Sequence, residues 1–174
     1  MASPWQLVRL HDAHPVDAFS CGTRPGAVDI DQYLRERARP EQAARLAAVW
    51  VVEDTAATTR EGRIVGFFTL SPVGVRLSPV LMEAMGIMVP YHTMGGWLLG
   101  RMGLAVQHQG HDHGRRLVAS AIRTARDLSL ATAGPLLAVD PANVDLMQWY
   151  LGLGFGFQRL APNDPRIFRL ALKL

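Results

Sequence analysis

A chain of 174 residues with 49% hydrophobic residues is long enough to bury one sizeable core but too short for two comfortable domains, so we expect a single domain over residues 1–174. The formal net charge is only +3, and Lys173 is the only lysine, so arginine carries nearly all of the positive charge. Arginine suits bidentate contacts with phosphate, although a GC-rich genome would produce the same bias.

The composition also argues against secreted and membrane-spanning proteins. Cys21 is the only cysteine, which excludes an internal disulfide and favours a reducing compartment. The longest apolar tract, residues 80–104, is interrupted by charged residues and a proline. Residues 1–15 lack the charged segment and apolar core of a signal peptide. We therefore expect a cytoplasmic protein.

The first predicted element is a helix capped by Asp29, which Pro40 should end or bend. A second helix is predicted over residues 41–48. Two segments rich in β-branched and aromatic residues, 49–52 and 63–70, are separated by polar residues and predict a hairpin.

The middle of the chain combines a helix, a strand and a further helix. Residues 78–88 have a helical pattern, and residues 90–96 are irregular. Residues 97–104 are nearly all apolar, which is typical of a buried strand. A polar turn follows, and residues 115–128 then repeat apolar side chains at helical spacing.

The last part of the chain predicts a strand over residues 136–139 and a helix over 143–151. FGFQRL (155–160) and RIFRLALKL (166–174), separated by a turn, predict a closing antiparallel hairpin. This order of elements predicts an α/β fold with a central mixed, mostly antiparallel sheet and helices on both faces.

The polar turn QGHDHG (109–114) links the predicted strand to the long helix. A glycine-bounded turn at this place leaves backbone N–H groups pointing at one spot, which is how proteins bind phosphate. Asp112 stands in the middle of the turn, where its carboxylate would oppose an anion. If the position needs a positive φ, aspartate is one of the better residues other than glycine.

The segment LLGRMGLAVQHQGHDHGRRL (98–117) resembles the central motif of the GNAT acyltransferases, the acyl-CoA N-acyltransferase fold. In that motif a strand leads into a loop of pattern Q/R-x-x-G-x-G/A and a helix whose N-terminus holds the pyrophosphate of acetyl-CoA. Gln109, Asp112 and Gly114 fall on the three defining positions. The match implies a GNAT domain over the whole chain.

More specifically, the chain resembles the TacT-like and AtaT-like toxins of toxin-antitoxin systems, which acetylate the amine of aminoacyl-tRNA. The segments in that branch's order are FSCG (19–22), IDQYL (30–34), GFFTLSP (66–72), LLGR (98–101) and VDPANVDLMQWYLGLGF (139–155). The resemblance implies acetyl-CoA as acyl donor, aminoacyl-tRNA as acceptor, a ribbon-helix-helix antitoxin as partner, a homodimer and no metal. A small-molecule amine or a protein remains an alternative acceptor, and Asp112 leaves open a CoA-binding module without turnover.

The resemblance also implies which residues bind acetyl-CoA. The main chain of one strand segment would bond the pantetheine arm, namely Met102, Gly103 and Leu104. The pyrophosphate would lie among Gln109, Gly110, His111, Asp112, His113, Gly114, Arg115 and Arg116. A solvated first helical turn is the alternative for Arg115 and Arg116. Asn143 would line the CoA groove.

Tyr150 is the candidate general acid. A phenol with a pKa of ~10 is protonated at neutral pH and can donate to a departing thiolate whose thiol has a pKa of ~8.5. The sequence WY (149–150) followed by GF (154–155) matches the family's pattern. A tyrosine packed on an apolar helix face is the alternative.

Two other groups of side chains carry weaker hypotheses. Three arginines on and after the first helix are candidates for binding tRNA phosphates: Arg35, Arg37 and Arg45. Alternatively, they form a solvated face whose charge is balanced by glutamates. Three histidines in and before the turn could suggest a metal, but they lack a clear set of partners and are expected to be solvent-accessible loop residues: His108, His111 and His113. Cys21 is expected to be a packed residue rather than a nucleophile.

Overall fold

The computed structural model describes residues 4–174, so the first three residues of the amino-terminal stretch considered above lie outside it. Its helices are α1 (Ala27–Gln32), α2 (Ala38–Ala43), α3 (Arg60–Arg63), α4 (Pro79–Ala84), α5 (His113–Thr132) and α6 (Val144–Gly152). Its strands are β1 (Trp5–Arg9), β2 (Ala48–Asp54), β3 (Ile64–Arg76), β4 (Thr93–Leu104), β5 (Leu136–Val139), β6 (Gln158–Arg159) and β7 (Leu170–Lys173). In the described part of the chain, no helix has both the length and the apolar character needed to cross a membrane.

The strands form a seven-stranded sheet in the order β1-β2-β3-β4-β5-β7-β6. The pairs β1–β2, β2–β3, β5–β7 and β6–β7 are antiparallel, whereas β4 and β5 run parallel. The predicted class, an α/β fold with a mixed and mostly antiparallel sheet, is therefore confirmed.

Two compact units divide the chain. The first comprises the described residues up to Ser71 together with Gly100–Ala121, and the second comprises Pro72–Leu99 and Ile122–Leu174. The core of the first unit contains Phe19, Tyr33, Leu34, Val51 and Phe67. The core of the second unit contains Val75, Leu77, Met85, Leu136 and Ala171. Each unit thus buries an apolar cluster of its own.

The first helix differs from its prediction at both ends. Gly26, with φ 82°, is the N-cap of α1, and Asp29 lies in the first turn instead of capping it. Pro40 does not end the helical segment. A π-type turn, Tyr33–Arg37, precedes α2, and Pro40 lies in the first turn of α2, where a backbone N–H is not required. The predicted helix over 41–48 ends early, since Arg45 has φ 60° and Ala48 already begins β2.

Strand β1 is not predicted, and β3 and β4 are longer than predicted. The sequence of β1, WQLVR, does not keep the strict alternation of apolar and polar residues that marks a half-buried strand, and no residue of β1 is fully buried. The β4 strand begins before residue 97 and includes Gly96, where an added Cβ would lie 2.6 Å from the carbonyl oxygen of Leu136. Residues 90–96 were predicted to be irregular, but Gly96 is part of β4, and its missing side chain lets the backbone of β4 approach β5 closely.

Candidate functional site

The β4 strand has an edge that β5 does not cover. The two strands pair from Gly96 to Leu99, where β5 ends at Val139, and β4 continues to Leu104. An uncovered strand edge offers main-chain groups to an extended ligand, as an additional strand would use them. Met102 and Gly103 lie in this segment, as the resemblance implies for residues that bind a pantetheine arm. The carbonyl of Leu104 already accepts a hydrogen bond from Gln109 Nε2 at 2.9 Å.

The loop after β4 has the backbone shape expected of an anion-binding turn. Gly110 has φ 83° and Asp112 has φ 60°, and α5 begins directly afterwards at His113. Among the described residues, no backbone carbonyl accepts a hydrogen bond from the N–H groups of residues 110–114, and the next bond runs from Arg116 N–H to the Asp112 carbonyl at 3.2 Å. These free donors and the positive end of a 20-residue helix would attract an anion.

The side chain of Gln109 points into the fold. Its Nε2 donates to the carbonyl of Cys21 and to that of Leu104, each at 2.9 Å. Gln109 was predicted as a pyrophosphate ligand, but its side-chain amide holds the start of the loop, and its backbone N–H donates to the Val106 carbonyl at 3.3 Å. The unbonded backbone N–H groups of the loop therefore begin at Gly110.

The loop histidines do not share one environment. His108 and His113 pack edge-on against Trp5, with ring centroids 5.2 and 4.8 Å away, and both are partly buried. Nδ1 of His113 donates to the His108 carbonyl at 3.0 Å. Burial, followed by the nearby His113, lowers the pKa of His108, which keeps its ring neutral at pH 7. The expectation of solvent-accessible loop histidines therefore fits His111, which is exposed.

Charged side chains near the start of α5 face solvent. Asp112, Arg115 and Arg116 are all exposed. The two arginines lie in the first turns of α5, and the Asp112 carboxylate is exposed in the loop directly before it. The loop therefore combines an anion-binding backbone with one opposing charge.

Tyr150 lies on α6 and is only 4% exposed. Its ring packs edge-on against Phe157, with centroids 5.6 Å apart, and no described residue hydrogen-bonds its hydroxyl group. Burial raises the pKa of Tyr150, so the phenol keeps its proton at neutral and mildly alkaline pH. A protonated hydroxyl without a partner is what a general acid requires.

Asn143 has a structural role that the sequence analysis did not assign. It is the N-cap of α6, and its Oδ1 accepts the backbone N–H of Leu146 at 2.9 Å. Such a cap stabilises a helix by about 1 kcal/mol. A CoA ligand would find only the amide NH₂ of Asn143 available.

The predicted tRNA-binding arginines are unequal. Arg35 donates to the Phe19 carbonyl at 3.2 Å and lies 4.0 Å from Asp31, so it also ties parts of the fold together. Arg37 pairs with Glu41 at 2.7 Å and lies over the ring of Tyr33. Arg45 is exposed and forms no ion pair with a described residue. Arg37 thus fits the alternative of a solvated face balanced by glutamates. Arg45, whose charge no described carboxylate balances, fits the alternative of a phosphate contact better.

Asp31 is a buried charged residue that the sequence analysis did not single out. It is 5% exposed, and its carboxylate accepts hydrogen bonds from the Cys21 backbone N–H and the Ser20 hydroxyl. The signal was present as the acidic residue inside the IDQYL segment. Cys21 is buried, as expected, and burial together with Asp31 raises the pKa of its thiol to about 12, which disfavours a nucleophilic thiolate.

Among residues 4–174, one group of side chains could ligate a metal ion, and none of its members belongs to the 109–114 loop. Atoms of His11, His14 and Glu53 lie within 4.8 Å of one another. His14 Nδ1 accepts the His11 backbone N–H, so the neutral ring carries its proton on Nε2, 3.6 Å from Glu53. Arg63 already pairs with the same Glu53 oxygen at 3.1 Å. A metal would have to displace both the Nε2 proton of His14 and the Arg63 guanidinium. The cluster is therefore better suited to stabilising the buried Glu53 carboxylate than to binding a metal.

Comparison with solved structures identifies the fold. A tyrosine-to-phenylalanine variant of KacT is 22% identical, with a TM-score of 0.78 over 97% of this chain and 94% of that one. AtaT complexed with acetyl-methionyl-tRNAfMet is 21% identical, with a TM-score of 0.78 over the same shares of both chains. A tyrosine-to-phenylalanine variant of the toxin AtaT, bound to the C-terminus of the antitoxin AtaR and acetyl-CoA, is 19% identical, with a TM-score of 0.73 over 98% and 93%.

No protein-family model matches the sequence. At the identities above, the likeness establishes a common fold: this chain has the fold of KacT and AtaT, and the predicted fold is thereby confirmed.

Proposed function

We propose that this chain is an acetyl-CoA-dependent N-acetyltransferase that acetylates the amino group of aminoacyl-tRNA and thereby blocks translation. The observation that carries the proposal is the uncovered edge of β4 running into a loop of free N–H groups at the start of α5. This arrangement can bond an extended thioester arm and a diphosphate together. The acetyl-CoA and acetyl-methionyl-tRNAfMet present in complexes of AtaT support the choice of donor and acceptor.

In this proposal, backbone groups do most of the binding. The main chain of residues 102–104 orients the pantetheine arm, and the N–H groups of residues 110–114, with Arg115 and Arg116, hold the pyrophosphate. Positioning the thioester next to a neutral amine removes much of the entropic barrier to the transfer. The neutral amine attacks the carbonyl carbon, the C–S bond breaks, and Tyr150 donates its proton to the departing thiolate of CoA. The nitrogen loses one proton as the amide forms, and a proton returned from solvent restores the Tyr150 phenol.

The proposed acceptor contacts come from exposed arginines. Arg45 offers an uncompensated charge, and Arg35 and Arg37 add charge that is partly neutralised by Asp31 and Glu41. Such groups bind phosphates without reading sequence, so they would hold a tRNA backbone rather than select one tRNA. We further propose a homodimer in the cytoplasm that a ribbon-helix-helix antitoxin restrains. The complex of AtaT with the C-terminus of the antitoxin AtaR supports an antitoxin as partner.

Mass spectrometry of charged tRNA tests donor, reaction and acceptor together. A charged tRNA pool is incubated with the protein and acetyl-CoA, with Tyr150→Phe and a reaction lacking acetyl-CoA as controls. We expect N-acetylaminoacyl-tRNA with the wild-type protein and far less with the variant. Acetylation only of small amines or protein N-termini would overturn the tRNA acceptor. Binding of acetyl-CoA without acetylation of any amine would overturn the enzymatic proposal.

A further inference from the structure

The buried carboxylate of Asp31 organises a short segment, Ser20–Gly22, that no catalytic hypothesis uses. Oδ1 of Asp31 accepts the Cys21 backbone N–H at 2.7 Å, and Oδ2 accepts the Ser20 hydroxyl at 3.0 Å. The Ser20 hydroxyl in turn accepts the Gly22 backbone N–H at 3.0 Å. A carboxylate that is 5% exposed is tolerated only when it is hydrogen-bonded in this way.

The same segment is bonded to the chain that leads into the anion-binding loop. The Ser20 carbonyl accepts the backbone N–H of Val106 at 2.9 Å. The Cys21 carbonyl accepts Gln109 Nε2 at 2.9 Å, and that amide also bonds the Leu104 carbonyl at the end of β4. Residues 20–21 are thus bonded on two sides: Asp31 accepts from the Ser20 hydroxyl and the Cys21 N–H, and the two carbonyls accept from Val106 and Gln109.

Packing leaves the segment little freedom to shift. Cys21 is 8% exposed, and an added Cβ on Gly103 of β4 would lie 2.8 Å from its sulfur atom. A shift of Cys21 toward β4 would collide with Gly103, and a shift away from the loop would break its bond to Gln109. Because Asp31 belongs to α1, these hydrogen bonds couple the position of α1 to the start of the loop.

We propose that Asp31 is a positioning residue for the acetyl-CoA loop, acting through Ser20–Gly22 on Val106 and Gln109. In this proposal Asp31 bonds Ser20 and Cys21 and acts on the ligand only through them. It keeps the N–H groups of residues 110–114 preorganised, so that binding a diphosphate does not require the loop to be ordered first. The inference rests on the proposed function, because it assumes that the loop holds the diphosphate of acetyl-CoA.

Two substitutions at Asp31 separate its hydrogen bonds from its charge. Asp31→Ala removes both bonds to the segment. Asp31→Asn keeps an oxygen for the Cys21 N–H and turns the second contact around, since the amide NH₂ can donate to the Ser20 hydroxyl. We expect Asp31→Ala to weaken acetyl-CoA binding roughly ten-fold, the scale of losing hydrogen bonds to a charged group, and Asp31→Asn to stay within about two-fold of the wild type.

A matched control distinguishes positioning from general stability. Glu53 is also a buried carboxylate, 8% exposed and paired with Arg63, and it has no bond to the loop. Glu53→Ala should lower the melting temperature without changing the dissociation constant for acetyl-CoA. Calorimetric titration gives that constant, and amide hydrogen exchange of residues 106–114 without ligand reports the order of the loop directly.

The expected result is weaker binding and faster exchange at residues 106–114 in Asp31→Ala, with neither change in Glu53→Ala. Ser20→Ala, a milder substitution that removes one bond to Asp31, should move both readouts in the same direction if Asp31→Ala does not fold. Unchanged exchange in Asp31→Ala or Ser20→Ala would overturn the positioning role. Failure of the wild type to bind acetyl-CoA would overturn the proposed function instead, while the exchange experiment would still test the coupling.

Discussion

Removal of the Asp112 carboxylate should tighten acetyl-CoA binding. Asp112 is exposed and has φ 60°, a conformation that both asparagine and glycine adopt. Its backbone carbonyl accepts the N–H of Arg116, and that bond survives either substitution. Asp112→Asn therefore changes little except the charge, and Asp112→Gly also restores the residue that the loop pattern has at this position.

The magnitude follows from the exposure of the side chain. Two like unit charges about 4 Å apart repel by about 1 kcal/mol in a water-like dielectric, which applies to an exposed carboxylate. One kilocalorie per mole corresponds to roughly a five-fold change in dissociation constant. His108 cannot offset the repulsion at neutral pH, because burial and His113 lower its pKa. Both variants should thus bind acetyl-CoA roughly five-fold more tightly than the wild type.

Calorimetric titration at fixed low ionic strength measures the effect, and repetition near 1 M salt should shrink it, because the Debye length falls to about 3 Å. Asp127→Asn is the matched control, since this exposed acidic residue lies roughly four turns further along α5. Equal or weaker binding by both Asp112 variants would refute the electrostatic reasoning. Tighter binding by the glycine variant alone would show that the backbone, and not the charge, limits the affinity.

Four further predictions concern the acid, the acceptor surface and the core. Tyr150→Phe should reduce acetyl transfer roughly 10²-fold with little change in acetyl-CoA affinity, as steady-state kinetics and titration will show. Because burial raises the pKa of Tyr150, its acid form persists, and the wild-type rate should show no decline from loss of this proton between pH 7 and about 10. Alanine at all three predicted tRNA-binding arginines should weaken tRNA binding and flatten its salt dependence in a filter-binding series, unlike alanine at two exposed arginines elsewhere, Arg76 and Arg126. Gly103→Ala would place a Cβ 2.8 Å from the side chains of Cys21, Ile30 and Phe67 and should lower the unfolding free energy by about 1–3 kcal/mol in urea melts. Gly95→Ala meets nothing within 4 Å and should be nearly neutral.

Local sequence patterns predicted the elements that depend on a few neighbouring residues. The strand over 136–139 was predicted with its observed bounds, and the helix α6 begins within one residue of its prediction. The turn at 109–114 was identified because glycines and a strand-to-helix transition mark it, and the condition of a positive φ at Asp112 is met. The edge strand β1 was missed because its local pattern is weak, and it forms by pairing with the distant β2.

The sequence by itself therefore determined the fold class, the loop and the candidate acid, since periodicity, turn residues and an ordered set of motifs are local signals. Tertiary structure decided what individual polar side chains do. Gln109 bonds Cys21, a residue 88 positions away, and Asp31 supports the opposite side of the same segment. The oxygen of Asn143 caps a helix instead of remaining free for a ligand. A polar side chain has several possible partners, and the choice among them is made only when packing brings distant segments together and buries the groups that must be satisfied.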